Sequence, residues 1–145
     1  DAEKALNATY VDFDTLLSQS DVVSVHCALT PETKGIFNIN VFRQMKPTSI
    51  FINTSRGMVH NEVDLIEALK KGIIWGVGLD VTNPEPMKSD NELLQMENVS
   101  VLPHIGSATI ETRFKMAEIA ARNIIDYYNS KNFKCIVNPE VLNEK

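Results

Sequence analysis

The chain has 145 residues, enough for one domain with a real core. Hydrophobic residues make up 43% and charged residues 23%, an ordinary soluble composition. The formal net charge is −5, with acids spread along the chain, which weighs against nucleic acid or an anionic membrane surface as the main partner.

In chain order, DAEKAL is short and helix-prone, and ATYVDF follows as a weak strand. DFDTLLSQS has acids near its start and apolar residues at helical spacing. DVVSVHCAL is an apolar, β-branched run bounded by turn signals, which predicts a buried strand. TPETKGI is a loop, and NINVFRQM predicts a helix stopped before Pro47. SIFINTS is a strand and RGMVH a loop. NEVDLIEALKKG predicts a helix with Asn61 as its cap, Asp64 in the first turn, lysines in the last turn and Gly72 as its stop. WGVGLDV is a strand whose glycines suggest close packing against its backbone. NPEPMKSDNELLQM is a loop with a short helix, and VSVLP is a strand. TIETRFKMAEIAARNIIDYYNSK is a long amphipathic helix, with Ser107 or Thr109 as its cap. The polar tail NFKCIVNPEVLNEK ends the chain.

No apolar run approaches the ~20 residues of a membrane span. The N-terminus is neither signal-like nor basic enough for a transit peptide. Cys27 and Cys135 form no metal or redox spacing, so the expectation is two free thiols in a reducing cytoplasm and no metal site.

Alternating helices and buried strands imply a parallel α/β sheet with helices on both faces. Ligands of such sheets bind outside the carboxyl ends of the strands. Those ends carry HCAL, NTSRG, DVTNPEP and PHIG, so an arginine, two acids and a histidine converge on one edge. Arg56 offers a permanent charge and a planar fork matched to a carboxylate or a polarised carbonyl. Glu85 sits in a proline-flanked loop that restricts its direction. A carboxylate beside His104 fixes its tautomer and favours the imidazolium, a good proton donor near neutrality. The set fits reduction of a carbonyl next to a carboxylate. No serine or cysteine sits in a nucleophile elbow. The electrons then come from a cofactor, and a parallel sheet is the usual home of a dinucleotide.

FINTSRG, GLDVTNPEP and LPHIGSAT, in that order and spacing, resemble the D-isomer-specific 2-hydroxyacid dehydrogenases. The resemblance runs from LSQSDVVSVHCALTPETKGIFN to the terminal IVNPEVL. Within the family, DVTNPEP with HIGSAT is most similar to glyoxylate and hydroxypyruvate reductases, and D-3-phosphoglycerate dehydrogenases share much of the pattern. The resemblance implies Arg56, Glu85 and His104 as the catalytic set, with Arg56 and His104 also touching substrate and cofactor. It implies Asp80 as the acid that holds the nicotinamide carboxamide. It places the backbone of Thr54, Ser55 and Gly106 along the nicotinamide, and Cys27 and Ala28 where a strand end passes the cofactor. Glutamate rather than glutamine at position 85 speaks against the formate dehydrogenase branch. NAD or NADP is the implied cofactor, a small 2-oxo or 2-hydroxy acid the substrate, and a homodimer the assembly.

The departure is large. The family's G-x-G-x-x-G fingerprint is absent among the six glycines, and so is the ribose-reading acid. The chain therefore resembles the C-terminal part of a Rossmann-like nucleotide-binding domain, incomplete, over residues 1–130. Residues 131–145 form a tail that in the family returns to the substrate domain. Two functions follow as expectations. One is an oxidoreductase fragment reducing a small 2-oxo acid, inactive by itself. The other is a non-catalytic binding module that kept the fold. His26 is expected as core or cofactor-edge filler and His60 as an exposed loop residue. Trp75 is expected to pack, with Trp75 or Met58 at a subunit interface as the alternative.

Overall fold

The computed structural model describes residues 2–130 and 136–142; Cys135 and the tail positions 131–135 and 143–145 lie outside the described residues. The chain divides into two compact units, residues 1–105 and 106–145.

In the first unit, strands β1 (Val22–Val25), β2 (Ile50–Asn53), β3 (Gly76–Leu79) and β4 (Val99–Val101) form one parallel sheet in the order β1-β2-β3-β4. This is the incomplete Rossmann-like α/β sheet that the alternating pattern implies. Register sets the faces. Val23, Phe51, Val77 and Val99 form one cross-strand row, and Val25, Asn53, Leu79 and Val101 form the next row on the same face. Between them runs Ser24, Ile52, Gly78 and Ser100, pointing the other way.

The first face is the core. It packs with Leu17 of α2 (Phe13–Gln19), Phe42 of α3 (Ile39–Phe42) and Leu65, Ala68 and Leu69 of α4 (Glu62–Lys70). Phe37, Phe42 and Phe51 meet at its centre, with ring centroids 4.8–6.3 Å apart. The glycines of β3 take close neighbours as the sequence suggests. A methyl group at Gly76 would stand 3.0 Å from the Asn98 carbonyl oxygen, and one at Gly78 would stand 2.8 Å from Ile52 Cδ1.

Caps define the helices. Asp12 accepts from the Thr15 N–H at 2.8 Å and starts α2. Asn61 accepts from the Val63 and Asp64 N–H groups and starts α4, which ends at Gly72 with φ +62°. Asp64 also accepts from the Ile39 N–H at 3.0 Å, so one carboxylate joins α4 to the start of α3. Asn61→Ala removes both capping bonds. It is expected to cost about 1 kcal/mol, read as a lower urea midpoint at unchanged slope.

Three expectations are corrected. ATYVDF forms no strand: residues 8–12 lead directly into α2 after the short α1 (Ala2–Leu6). Tyr10 is 87% exposed, so a strand there has no face to bury. The NINVFRQM helix is a single turn, Ile39–Phe42, followed by turns up to Pro47. Trp75 is not buried: it is 58% exposed, and its main chain is held by Ser49 O and the Asn98 amide.

In the second unit, α5 (Ile110–Ser130) is capped by Thr109, whose hydroxyl oxygen accepts from the Thr112 N–H at 3.2 Å. Among the described residues, no helix is long and apolar enough to cross a membrane.

Candidate active site

Because all four strands are parallel, their carboxyl ends share one edge, and each end carries a residue singled out by sequence. β1 leads to Cys27 and Ala28, β2 to Thr54, Ser55 and Arg56, β3 to Asp80, and β4 to His104. Gly106 begins the second unit.

His104 has φ +55°, in the left-handed region that a non-glycine residue rarely occupies. Two contacts hold this turn. The Leu102 N–H donates to Leu79 O at 2.7 Å, and the Ile105 N–H donates to the Asp80 carboxylate at 2.7 Å. Asp80 therefore anchors the turn that presents the histidine, a role the sequence did not suggest. His104 Nδ1 meets Glu85 Oε1 at 2.5 Å, and both side chains are a little under half exposed. The Glu85 loop is braced from within by the Thr82 hydroxyl, which donates to Pro84 O at 2.8 Å. Strained backbone held by its surroundings is concentrated at functional positions.

Arg56 lies in a neighbouring cleft with His26, Cys27, Ala28 and Ser55, and its Nη1 donates to Ser55 O at 2.7 Å. The structure thus brings Glu85, His104 and Asp80 together directly and leaves Arg56 alongside them. Gly57 sets that spacing. A methyl group there would stand 2.0 Å from the Thr82 carbonyl oxygen, so the arginine loop rides directly on the backbone of the glutamate loop. Thr54 is exposed, with its hydroxyl 3.5 Å from His26 Nδ1, while His26 Nε2 meets the Ser24 hydroxyl at 2.8 Å. His26 is an exposed residue at the strand end rather than part of the core.

The largest correction is His60, which is 3% exposed. The residues after Arg56 run beside Gly35–Phe37, with Phe37 N–H on Val59 O and Asn61 N–H on Phe37 O. This pairing turns the imidazole inward onto Phe51, with ring centroids 6.0 Å apart. Its Nδ1 meets the Asn53 amide at 3.0 Å. Sequence reasoning missed Asn53 too. The available signal was period-two alternation: in the strand Ile50–Asn53, Asn53 shares the inward face with Phe51.

Burial holds the His60 pKa down at about 4, against an ordinary value of 6.5. The unfolded chain therefore binds a proton that the folded chain refuses between these values. Stability is whole above about pH 6.5 and declines as pH falls toward 4, by ~3 kcal/mol in all. Urea melts of the wild type and His60→Val at pH 7 and pH 4.5 check this. The variant should lose most of the difference between the two pH values, and an equal difference in both proteins counts against the burial argument.

The residues fit the nicotinamide end of a dinucleotide. Small side chains at Cys27, Ala28 and Ser55 leave the strand ends open beside Arg56, and in the adjoining pocket with Glu85 and His104 the Asp80 carboxylate accepts the Ile105 N–H. The sequence offers no glycine-rich turn for a pyrophosphate. Among the described residues no cluster of His, Cys, Asp or Glu could hold a metal ion.

Residues 1–106 match the family described as D-isomer specific 2-hydroxyacid dehydrogenase, NAD binding domain. The chain is 50% identical over 141 residues to glyoxylate/hydroxypyruvate reductase B of Shigella boydii serotype 4, covering 97% of this chain and 44% of that protein. A glyoxylate reductase structure from Paecilomyes thermophila superposes with TM-score 0.87 at 34% identity, over 97% of this chain and 42% of that one. The NAD-complexed D-isomer specific 2-hydroxyacid dehydrogenase of Lactobacillus delbrueckii ssp. bulgaricus superposes with TM-score 0.87 at 30% identity, over 95% and 46%. The chain spans a little under half the length of these relatives. Matched across residues 1–106 and half identical to a reductase over nearly all its length, the chain belongs to the D-isomer specific 2-hydroxyacid dehydrogenases, in their NAD-binding domain.

Proposed function

We propose that this chain is the catalytic part of an enzyme that reduces a small 2-oxo acid, such as glyoxylate or hydroxypyruvate, to the 2-hydroxy acid with NADH or NADPH. The observation that carries the reading is the His104–Glu85 pair at 2.5 Å on a strained turn at a strand end. Glu85 occupies Nδ1, which leaves Nε2 as the ring position open to substrate. A nicotinamide held at these strand ends would supply a hydride for the carbonyl carbon, and Nε2 of His104 is placed to give its proton to the carbonyl oxygen. The neutral imidazole that remains is held in one tautomer by Glu85. Arg56 takes the substrate carboxylate in its planar fork and draws charge from the carbonyl oxygen. Thr54, Ser55, Cys27 and Ala28 line the nicotinamide in this reading, with Asp80 at its carboxamide. A cytoplasmic homodimer belongs to the same reading, with Trp75 as a candidate contact because its ring is exposed.

The test is a chimera in which residues 1–145 replace the matching stretch of the Shigella boydii reductase. The chimera should consume NADH with glyoxylate or hydroxypyruvate. A folded chimera that binds NADH and turns over neither acid counts against the reading. Within it, Arg56→Lys is expected to lower kcat/KM for the oxo acid by roughly 10- to 100-fold. Lysine keeps the charge and loses the paired donors, and a charged hydrogen bond is worth about 1.5–3 kcal/mol. Unchanged kcat/KM with a lower melting temperature would make Arg56 structural.

A further inference from the structure

Asn53 closes β2 in a cross-strand row whose other members, Val25, Leu79 and Val101, are all apolar, and it is fully buried. A carboxamide has two acceptor lone pairs and two N–H donors. Here all four are used. Oδ1 accepts from the Ser55 N–H at 2.9 Å and from the Ser55 hydroxyl at 3.0 Å. Nδ2 donates to Arg56 O at 3.0 Å and to His60 Nδ1 at 3.0 Å. The bonds from Ser55 establish which end of the amide is oxygen. That orientation makes His60 Nδ1 an acceptor and places the ring proton on Nε2. His60 is itself wedged against Phe51 in the core. One buried side chain thus grips the two residues that present the guanidinium, and the Arg56 Nη1 bond to Ser55 O continues the network outward.

We propose that Asn53, locked in orientation by His60, is the positioning residue for Arg56. It rests on the functional reading above for what Arg56 then does with a substrate carboxylate. Its physical content is preorganisation. The loop leaves the strand already in the geometry that the fork needs, so substrate binding does not have to order it. Water could satisfy the same backbone groups in an exposed loop, but it would not hold them in one conformation.

The test uses the 145-residue chain and NMR. The wild type should show His60 protonated at Nε2 and unprotonated at Nδ1, with a slowly exchanging Ser55 amide. Asn53→Leu keeps the volume and removes all four bonds. Ser55 exchange should accelerate on the order of 10- to 100-fold, and the order of the Arg56 Nε–H should fall. Asn53→Asp separates the two halves of the device. Its oxygens still hold Ser55, but it has no donor for Arg56 O, and His60 must move its proton to Nδ1. Ser55 should stay protected while Arg56 loses order and the histidine tautomer switches. A side chain that merely fills space predicts no such switch. If Asn53→Leu does not fold, the wild-type tautomer and Asn53→Asp decide the question. Wild-type His60 protonated at Nδ1, or an Arg56 that stays equally ordered in the folded variants, overturns the inference. Normal turnover in the Arg56→Lys chimera would remove the functional reading and leave these spectra standing, so the two failures are distinguishable.

Discussion

His104→Ala is expected to lower turnover of the chimera by about 10²–10⁴-fold, the usual worth of a positioned general acid. Three features place the whole effect on the chemical step. The ring is exposed enough to meet a ligand, its Nδ1 is already occupied by Glu85 at 2.5 Å, and its backbone is held at φ +55° by the anchors on either side. Nothing in the core rests on it, so the melting temperature should barely change. NADH affinity should change by only a few-fold, because a dinucleotide is held along its whole length. The KM for the oxo acid should move less than kcat, since the proton is transferred only in the transition state. Steady-state rates with varied NADH and varied glyoxylate separate these quantities. Turnover within a few-fold of the parent sinks the assignment of His104 as proton donor, and the functional reading falls with it.

Much of this site is legible in the sequence because parallel topology does the gathering. Once SIFINTS, WGVGLDV and VSVLP are read as strands, the residues after each must meet at one edge, and His104, Glu85, Asp80 and Arg56 follow without knowledge of any contact. The α4 helix is legible for a local reason: Asn61 and Gly72 act within a few residues of themselves. What escapes reading depends on pairing between segments distant in the chain. His60 stands in a polar loop by sequence, yet the run beside Gly35–Phe37 turns it inward. Asn53 resembles a strand-ending turn residue, and its four bonds exist only because Ser55, Arg56 and His60 fold back over it. ATYVDF has strand-like residues but no partner strand among the described residues, and the apolar ring of Trp75 is left 58% exposed. Propensity proposes an element there, and the absence of a face to bury overrules it.

Gly57→Ala is expected to cost about 3 kcal/mol, at the upper end of the overpacking range, and to lower chimera turnover by on the order of 10²-fold. The new methyl group would stand 2.0 Å from Thr82 O, 2.2 Å from Thr82 C and 2.9 Å from Asn83 N. All three are backbone atoms, so no side chain can rotate away. Neither loop yields easily. Val59 N–H on Arg56 O and His60 N–H on Gly57 O tighten the turn on one side. On the other, Val81 and Thr82 are buried. Ordinary contact begins at 3.4 Å, so the arginine loop and the glutamate loop must separate by more than an ångström. That movement carries Arg56 away from Glu85 and His104, which is why stability and rate should fall together. Gly72→Ala makes the contrast. It has open space around it but φ +62°, so its cost is backbone strain of roughly 1–2 kcal/mol with no effect on rate. Urea melts and glyoxylate turnover of the two variants separate steric contact from strain. A Gly57→Ala protein that melts and turns over like its parent would mean that the two loops do not ride on each other. The spacing of Arg56 from the acid–base pair would then need another cause.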